Sequence, residues 1–412
     1  MKTHRASLHT RLPGPALAFV GLLAPLFVFV AGCASEEGVN PVGPNAPGSP
    51  CAAMLEQCLV DQKICADGPQ GPRCEVCAEG TYASKAGACE PIGGSAMGHD
   101  FNEFTVKSGE EIRGLCQSWT LNNPEELWIN AVELTQDVVS HHSNWTFVPA
   151  NLFDGPDGVW PCDERGYSQL DAALYGGVLY AQSTQASHEV QKFPNGAAVR
   201  VMPYARIIGD IHLLNTTSAD VTGHAKLSLY SISEAEVKIK LAPFHLNYRG
   251  LDIPPHATSR FFGECALKDK FPSNEMKMDV YYILPHTHSM ATRFFAEVMG
   301  GPLDGTSLLD IEGFNGEARG RAFDPPVDLL GSTGIRFGCE FTNPRSESVG
   351  WGFGDQEMCE MLGFAASPVA IESRVLEAQP AGEDGEVKLF TGACDTLAFF
   401  WDQNKPGGPT PP

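Results

Sequence analysis

Residues 280–288 read Val280-Tyr281-Tyr282-Ile283-Leu284-Pro285-His286-Thr287-His288. The β-branched and aromatic residues at the front of this stretch fit a pleated, half-buried surface and predict a strand. In a strand, residues i and i+2 face the same way, so His286 and His288 can present two imidazoles to one metal ion. Runs of the same kind recur on either side: Leu127–Leu134, Ala198–Ile208, Lys226–Ile232, Val237–Leu241, Lys277–Ile283, Thr292–Val298 and Val387–Phe390. Many alternate apolar with polar residues, and clusters of Gly, Pro, Asn and Asp separate them. No long amphipathic helix pattern interrupts the series. Residues 100–402 are therefore expected to be all-β, as two antiparallel β-sandwiches over 100–243 and 244–402, divided near 241–256.

The N-terminal part is of another kind. Lys2, Arg5 and Arg11 precede an apolar run from Ala16 to Gly32 that is interrupted by Pro25. Its length suits a signal-peptide core and is short for a membrane span. Val30-Ala31-Gly32-Cys33 has the small-residue pattern at which bacterial lipoproteins are cut and acylated. Residues 1–33 thus predict a lipoprotein leader with acylation on Cys33, and acyl chains would hold the protein at a membrane without a spanning helix. Ala34 in place of Asp favours the outer membrane, so the expected localisation is that of an exported bacterial lipoprotein. Residues 34–50, rich in Pro, Gly and Asn, read as a flexible tether. Residues 403–412 read as a disordered tail.

Cysteine usage fits export. Of 13 Cys, one is the acylation site and twelve are left to pair, as expected in an oxidising compartment. Six of them (Cys51, Cys58, Cys65, Cys74, Cys77 and Cys89) crowd into residues 51–92. That stretch has too few large apolar residues for a core and reads as a disulfide-stapled, EGF-like module. Its pairing is open, and a zinc site at Cys74-x-x-Cys77 is the rival reading. Loss of the leader's three basic residues moves the net charge from −22 to −25. Such an acidic surface excludes nucleic acid as a partner, because phosphate would be repelled.

Chemistry points to a handful of side chains. His141 and His142 are adjacent. On a regular strand they would face opposite ways, so both can bind one metal only at a strand end or a bulge. His212 lies in an apolar run, Ile207-Ile-Gly-Asp-Ile-His212-Leu-Leu. Met358 sits in Gly354-Asp-Gln-Glu-Met358-Cys-Glu and offers a soft thioether. Imidazoles with a thioether suit copper and favour Cu(I). His142 to His212 spans 70 residues, as does His288 to Met358, which suggests two related domains. His188, His224, His245 and His256 read as surface or core histidines.

Taken in order, these motifs resemble the copper type II, ascorbate-dependent monooxygenases, the family of peptidylglycine alpha-hydroxylating monooxygenase and dopamine beta-monooxygenase. The resemblance covers residues 100–400. It rests on His141-His142, His212, Ile253-Pro254-Pro255 followed by Cys265, His286-Thr287-His288, and Arg336-Phe-Gly-Cys339-Glu-Phe-Thr342 leading to Glu357-Met358-Cys359. It implies two jelly-roll sandwiches with one copper in each, facing one another across a solvent-filled cleft. His141, His142 and His212 would hold the electron-transfer copper. His286, His288 and Met358 would hold the copper where dioxygen and substrate meet. Disulfides Cys116–Cys162, Cys339–Cys359 and Cys265–Cys394 are implied as well. The implied activity is hydroxylation of a C–H bond of a small substrate with dioxygen and a one-electron reductant such as ascorbate.

Two departures bear on the substrate. Where peptide-processing members carry an Arg and a Tyr for a peptide carboxylate, this chain has Leu284 and Leu362. An apolar or uncharged small molecule is therefore expected. The alternative functions are a non-catalytic copper-binding or redox-relay lipoprotein, and an adhesive surface protein that acts through its Cys-rich module.

Overall fold

The computed structural model describes residues 49–182, 186–313, 320–352 and 355–401. The leader, Cys33, residues 34–48 of the tether and the 403–412 tail lie outside them. The described chain is all-β: two tandem jelly-roll sandwiches preceded by a small disulfide-rich module. Among the described residues no helix is long and apolar enough to cross a membrane.

The first sandwich has a five-stranded sheet in the order Gly158–Pro161, Glu111–Thr120, Ala205–Leu214, Ser140–Pro149, Gly177–Gln182. Its second sheet runs Ile239–Lys240, Ala197–Val201, Leu127–Gln136, Ala225–Ile232, Ser95–Asp100, with His188–Lys192 also paired to Leu127–Gln136. Trp145, Phe147 and Ile207 from one sheet meet Ile129, Leu134 and Val199 from the other in a buried core. The second sandwich has its own core around Phe261, Phe337, Phe341, Leu246 and Met361. Its two layers are joined by one long strand, Val387–Phe400. Lys388–Ala393 pair with Ser259–Glu264, and Cys394–Phe400 pair with Val369–Val375.

Among the strands of the described residues, pairing is antiparallel except at three places. Ala197-Ala198 runs parallel to Ile239-Lys240, Phe244–Tyr248 to Ile371–Val375, and Ser259–Glu264 to Lys388–Ala393. Some strand bounds differ from the sequence reading. The run Ala198–Ile208 is two strands, because Pro203 lacks the N–H a ladder needs and Tyr204 turns the chain at φ 53°. Of Val237–Leu241, only Ile239 and Lys240 are in a strand. The expected break at 241–256 contains the strand Ala242–Tyr248, in which Phe244, Leu246 and Tyr248 are buried in the second core. The change of sandwich therefore falls at Leu241.

The two sandwiches share an apolar contact. Tyr282, Leu284 and Phe364 of the second pack into the first core, where the Phe193 ring lies 5.1 Å from Phe364 and 6.0 Å from Tyr282. This contact presses the outer face of the Asp279–Thr287 strand toward the Ser140–Pro149 sheet, and the histidines sit at its edge.

In the module, Cys51 pairs with Cys65, Cys58 with Cys74 and Cys77 with Cys89. Cys74 and Cys77 belong to different disulfides, which removes the zinc reading. The other pairs are Cys116–Cys162, Cys265–Cys394 and Cys339–Cys359. The module is seated on the first sandwich by a buried carboxylate, Glu133. This group accepts from the Gly80 N–H at 2.8 Å, from His188 at 2.8 Å and from the Tyr230 hydroxyl at 2.6 Å. Replacing Glu133 by Val would leave three donors, one buried and two partly buried, without this partner. Each such loss costs about 1–3 kcal/mol, so E133V should lower stability by at least about 2 kcal/mol. Urea unfolding measures the loss, and limited proteolysis should then release the module first.

Candidate metal centre and adjoining cavity

His141 and His142 lie on Ser140–Pro149, next to His212 on Ala205–Leu214. His212 pairs with His142, but the next residue, Leu213, pairs with Ser140. His141 is thus the extra residue of a β-bulge, and the bulge turns its ring to the same side as that of His142. The His141 ring is 5.2 Å from His142 and 4.9 Å from His212, and the His142 and His212 rings are 4.6 Å apart. Their ligating nitrogens form one group within 4.8 Å of one another. His142 Nδ1 and His212 Nδ1 are 3.4 Å apart. Two donors about 2.0–2.1 Å from one ion at a tetrahedral angle would have about that separation. His212 Nε2–H donates to Glu111 Oε1 at 2.6 Å, leaving Nδ1 with the lone pair. Arg113 holds the other oxygen of Glu111. Such outer partners orient a ligating ring and fix its tautomer.

His286 is near the end of the strand Asp279–Thr287 of the second sandwich and His288 is the first residue beyond it, with rings 5.2 Å apart. His288 Nδ1–H donates to the Gln356 carbonyl at 2.7 Å. That leaves Nε2, a buried nitrogen with no hydrogen-bond partner. The Glu357 carboxylate accepts from the backbone N–H of His288 at 3.0 Å and of Met290 at 2.8 Å, and so clamps the turn that carries His288. Burial pushes the Glu357 carboxyl up to about 7. The register of this strand with Cys359–Ala366 ends at Thr287 opposite Cys359, which brings Met358 to the end of the ladder beside His288. Met358 is buried and lines the same cavity as His286. The Cys339–Cys359 disulfide ties this segment to the neighbouring layer.

The two sets are not separated by a cleft. The His142 ring lies 5.0 Å from His286 and 5.9 Å from His288, and these three also form a group with nitrogens within 4.8 Å. His142 belongs to both groups. All five imidazoles are held neutral. Burial, then the neighbouring rings, lowers His141 to about 4, His286 to about 3 and His142 well below its usual value; burial lowers His212 against the opposing Glu111, and lowers His288 against the Gln356 carbonyl and the Glu360 and Glu111 carboxylates. Neutral imidazole is the ligating form.

A cavity of about 520 Å³ opens beside the cluster, with His142, His286 and Met358 in its wall. Its floor is the outer face of the second sandwich, and the strand register orders that floor into rows. One row is Leu284, Leu362, His245, Glu372, and the next is His286, Glu360, Asn247, Arg374. Glu360 and Glu372 hold His245 between them at 3.3 Å and 2.9 Å. Burial opposes charge on His245, but the carboxylates of Glu372 and Glu360 prevail and raise it to about 10. The sequence reading placed His245 with the surface or core histidines. Its role arises from Glu360 and Glu372, more than a hundred residues away, and no local signal marks it. Glu111, Gln356 and Glu357 were not singled out as site residues either. Only Glu357 had a sequence cue, through its place next to Met358.

No family model matches the chain, and no curated protein does. Among solved structures, the empty particle of cowpea mosaic virus matches with TM-score 0.31 at 11% identity over 65% of this chain and 89% of that one. A putative secreted protein of Parabacteroides distasonis gives TM-score 0.17 at 7% identity over 75% and 94%. The "Triple Jelly Roll Fold" protein of an archaeal virus gives 0.19 at 8% over 64% and 59%. These scores carry no functional argument, which rests on the site alone.

Proposed function

We propose that this protein is a copper-dependent monooxygenase that hydroxylates a C–H bond of a small molecule with dioxygen and a one-electron reductant such as ascorbate. The observation that carries the reading is a five-histidine cluster, with Met358 at its edge, opening onto a partly open cavity of about 520 Å³. The donor set fits copper: imidazoles suit Cu(II) and Cu(I), and the thioether favours Cu(I). The orphaned Nε2 of His288 fits the same ion, since a buried nitrogen without a partner is costly unless something binds it.

His141, His142 and His212 would hold one ion, and His286, His288 and Met358 the other. When bound, copper supplies the one-electron steps by which one oxygen atom enters the C–H bond and the other leaves as water, with two electrons from the reductant and two protons. The chain's own residues orient and exclude. Glu111 and the Gln356 carbonyl fix the tautomers of His212 and His288. Glu357 holds the His288 turn. Leu284 and Leu362 line the wall beside His286 and keep water from the reacting end. Because the two sets adjoin, an electron would pass between neighbouring rings rather than across solvent.

The test is elemental analysis with oxygen uptake under ascorbate. Two coppers per chain and substrate-dependent uptake are expected. A Met358→Ile variant should keep most of its copper and lose uptake at least about tenfold. Copper without uptake for any of a panel of small substrates would favour a redox relay, and absence of copper would leave the adhesive reading. Preferential turnover of carboxylate-terminated peptides would count against an apolar or uncharged substrate.

A further inference from the structure

The cavity beside the histidines is long, and its polarity changes along its length. Five strands lie side by side under it: Asp279–Thr287, Cys359–Ala366, Ala242–Tyr248, Val369–Val375 and Val387–Phe400. His286 is on the first and Phe399 on the fifth, and both line the cavity. Four interstrand steps of about 4.8 Å place them roughly 19 Å apart across the floor.

The unpaired charges of the wall lie at the histidine end. Asp210 is two residues from His212 on the strand Ala205–Leu214 and shares its face. Gln169 Nε2 donates to it at 2.8 Å, and among the described residues no cation pairs with it. The Arg249 guanidinium lies 4.8 Å from the centre of the Trp351 ring, and the Trp351 indole donates to Glu360, which stands opposite His286. Arg249 likewise has no ion pair among the described residues. The other charges of the floor, His245, Glu360, Glu372 and Arg374, are paired with one another.

Away from the histidines the floor is apolar. Phe399 stands opposite Ala370, and Trp401 follows Phe399 on the same face. Phe400, 71% exposed, carries apolar surface out to the mouth. The first sandwich adds the helix Gln169–Tyr175, whose Leu170, Ala173 and Leu174 share one face and line the same cavity. Only Ala172 of that helix is buried, so its apolar stripe serves the cavity rather than a core. Exposed apolar surface continuous with a pocket marks a ligand groove.

We propose that the substrate is a single-chain amphiphile, with its polar head at the histidine end beside Asp210 and Arg249 and its alkyl tail running across the floor to Phe399 and Trp401. A zigzag of C–C bonds of about 1.5 Å advances about 1.25 Å per carbon, so the tail holds roughly twelve to fifteen carbons. That the head end is the oxidised end rests on the monooxygenase reading; the tail site does not.

The experiment uses the full metal-free chain and three homologous series of six to sixteen carbons: alkanoates, alkylammoniums and 1-alkanols, each below its micelle concentration. Calorimetry should show one molecule per chain, with affinity rising about three- to fourfold per methylene and levelling off at about twelve to fifteen carbons. Phe399→Ser combined with Trp401→Ser should weaken tetradecyl binding at least about tenfold and leave hexyl binding unchanged. Neither residue belongs to a core cluster, so the fold should persist. One charged series should bind more tightly than the alcohols, and lose that advantage in Arg249→Gln if it is the alkanoates or in Asp210→Asn if it is the alkylammoniums. Affinity that ignores chain length, a rise that continues through sixteen carbons, or tetradecyl binding untouched by the double variant overturns the inference. Alcohols that bind as tightly as both ions overturn the placement of the head. In Cu(II)-loaded protein, the NMR signals next to the head should broaden before the terminal methyl, and the reverse order overturns the direction. Tail binding in a chain that takes up no copper would remove the monooxygenase reading and leave the tail site standing; copper and substrate-dependent oxygen uptake without tail binding would do the opposite.

Discussion

If the proposed monooxygenase reading holds, a His142→Ala variant is expected to bind at most one copper per chain where two are expected for the wild type, and to lose ascorbate-dependent oxygen uptake about 100-fold or more, equivalent to at least about 2.7 kcal/mol of barrier. The reason is geometric. His142 is the one imidazole that belongs to both histidine groups. Its Nδ1 faces His212 at 3.4 Å, and its ring lies 5.0 Å from His286. Removing it takes a ligand from the first set and also opens a buried space against the second. His141→Ala should be milder, leaving the His286, His288 and Met358 ion in place. His224→Ala, at an exposed ring beside Asp137, should leave both ions and the activity unchanged. Two tightly held coppers in the His142→Ala protein would show that the sets do not depend on this residue.

The second large effect concerns stability. His245→Leu should cost about 3–5 kcal/mol in urea unfolding, because it leaves two carboxylates, Glu360 and Glu372, on a partly buried wall without their shared cation. The loss should depend on pH. His245 rises from 6.5 to about 10 on folding, so its contribution is complete below about 6.5 and fades as pH climbs through about 10. Burial opposes charge on Glu372, but His245 and then Arg374 lower it from 4.5 to about 2, so its contribution is complete above about 4.5 and fades as pH falls through about 2. The gap between wild type and variant should therefore be widest between about pH 4.5 and 6.5 and should close toward pH 10. A gap that stays constant from pH 6 to 10 would falsify the charged sandwich.

Much of the architecture was legible because strand signals are local. Alternation in Thr292–Val298 reports one buried face, whereas the run Leu127–Leu134 lies in a strand buried on both faces; the observed strands contain both runs. The His-x-His spacing at 286 and 288 reads as a strand property, but the strand ends at Thr287 and His288 is placed by the Glu357 and Gln356 contacts of the turn that follows. The adjacent pair at 141 and 142 posed a condition that pairing alone could meet: the bulge exists because Leu213 pairs with Ser140, which involves a partner strand some seventy residues away.

What the sequence by itself determined is the class of structure and the inventory: two β-sandwiches, a stapled module, five imidazoles and a thioether. Period-two burial and cysteine spacing are written along the chain and need no partner to be read. Only the tertiary structure decided that the two histidine sets meet through His142 and that His245 is a cation between carboxylates. Each of these depends on which strand lies beside which: the first on the contact between the sandwiches, where Phe193 packs against Phe364 and Tyr282, and the second on the register of Ala242–Tyr248 between Cys359–Ala366 and Val369–Val375.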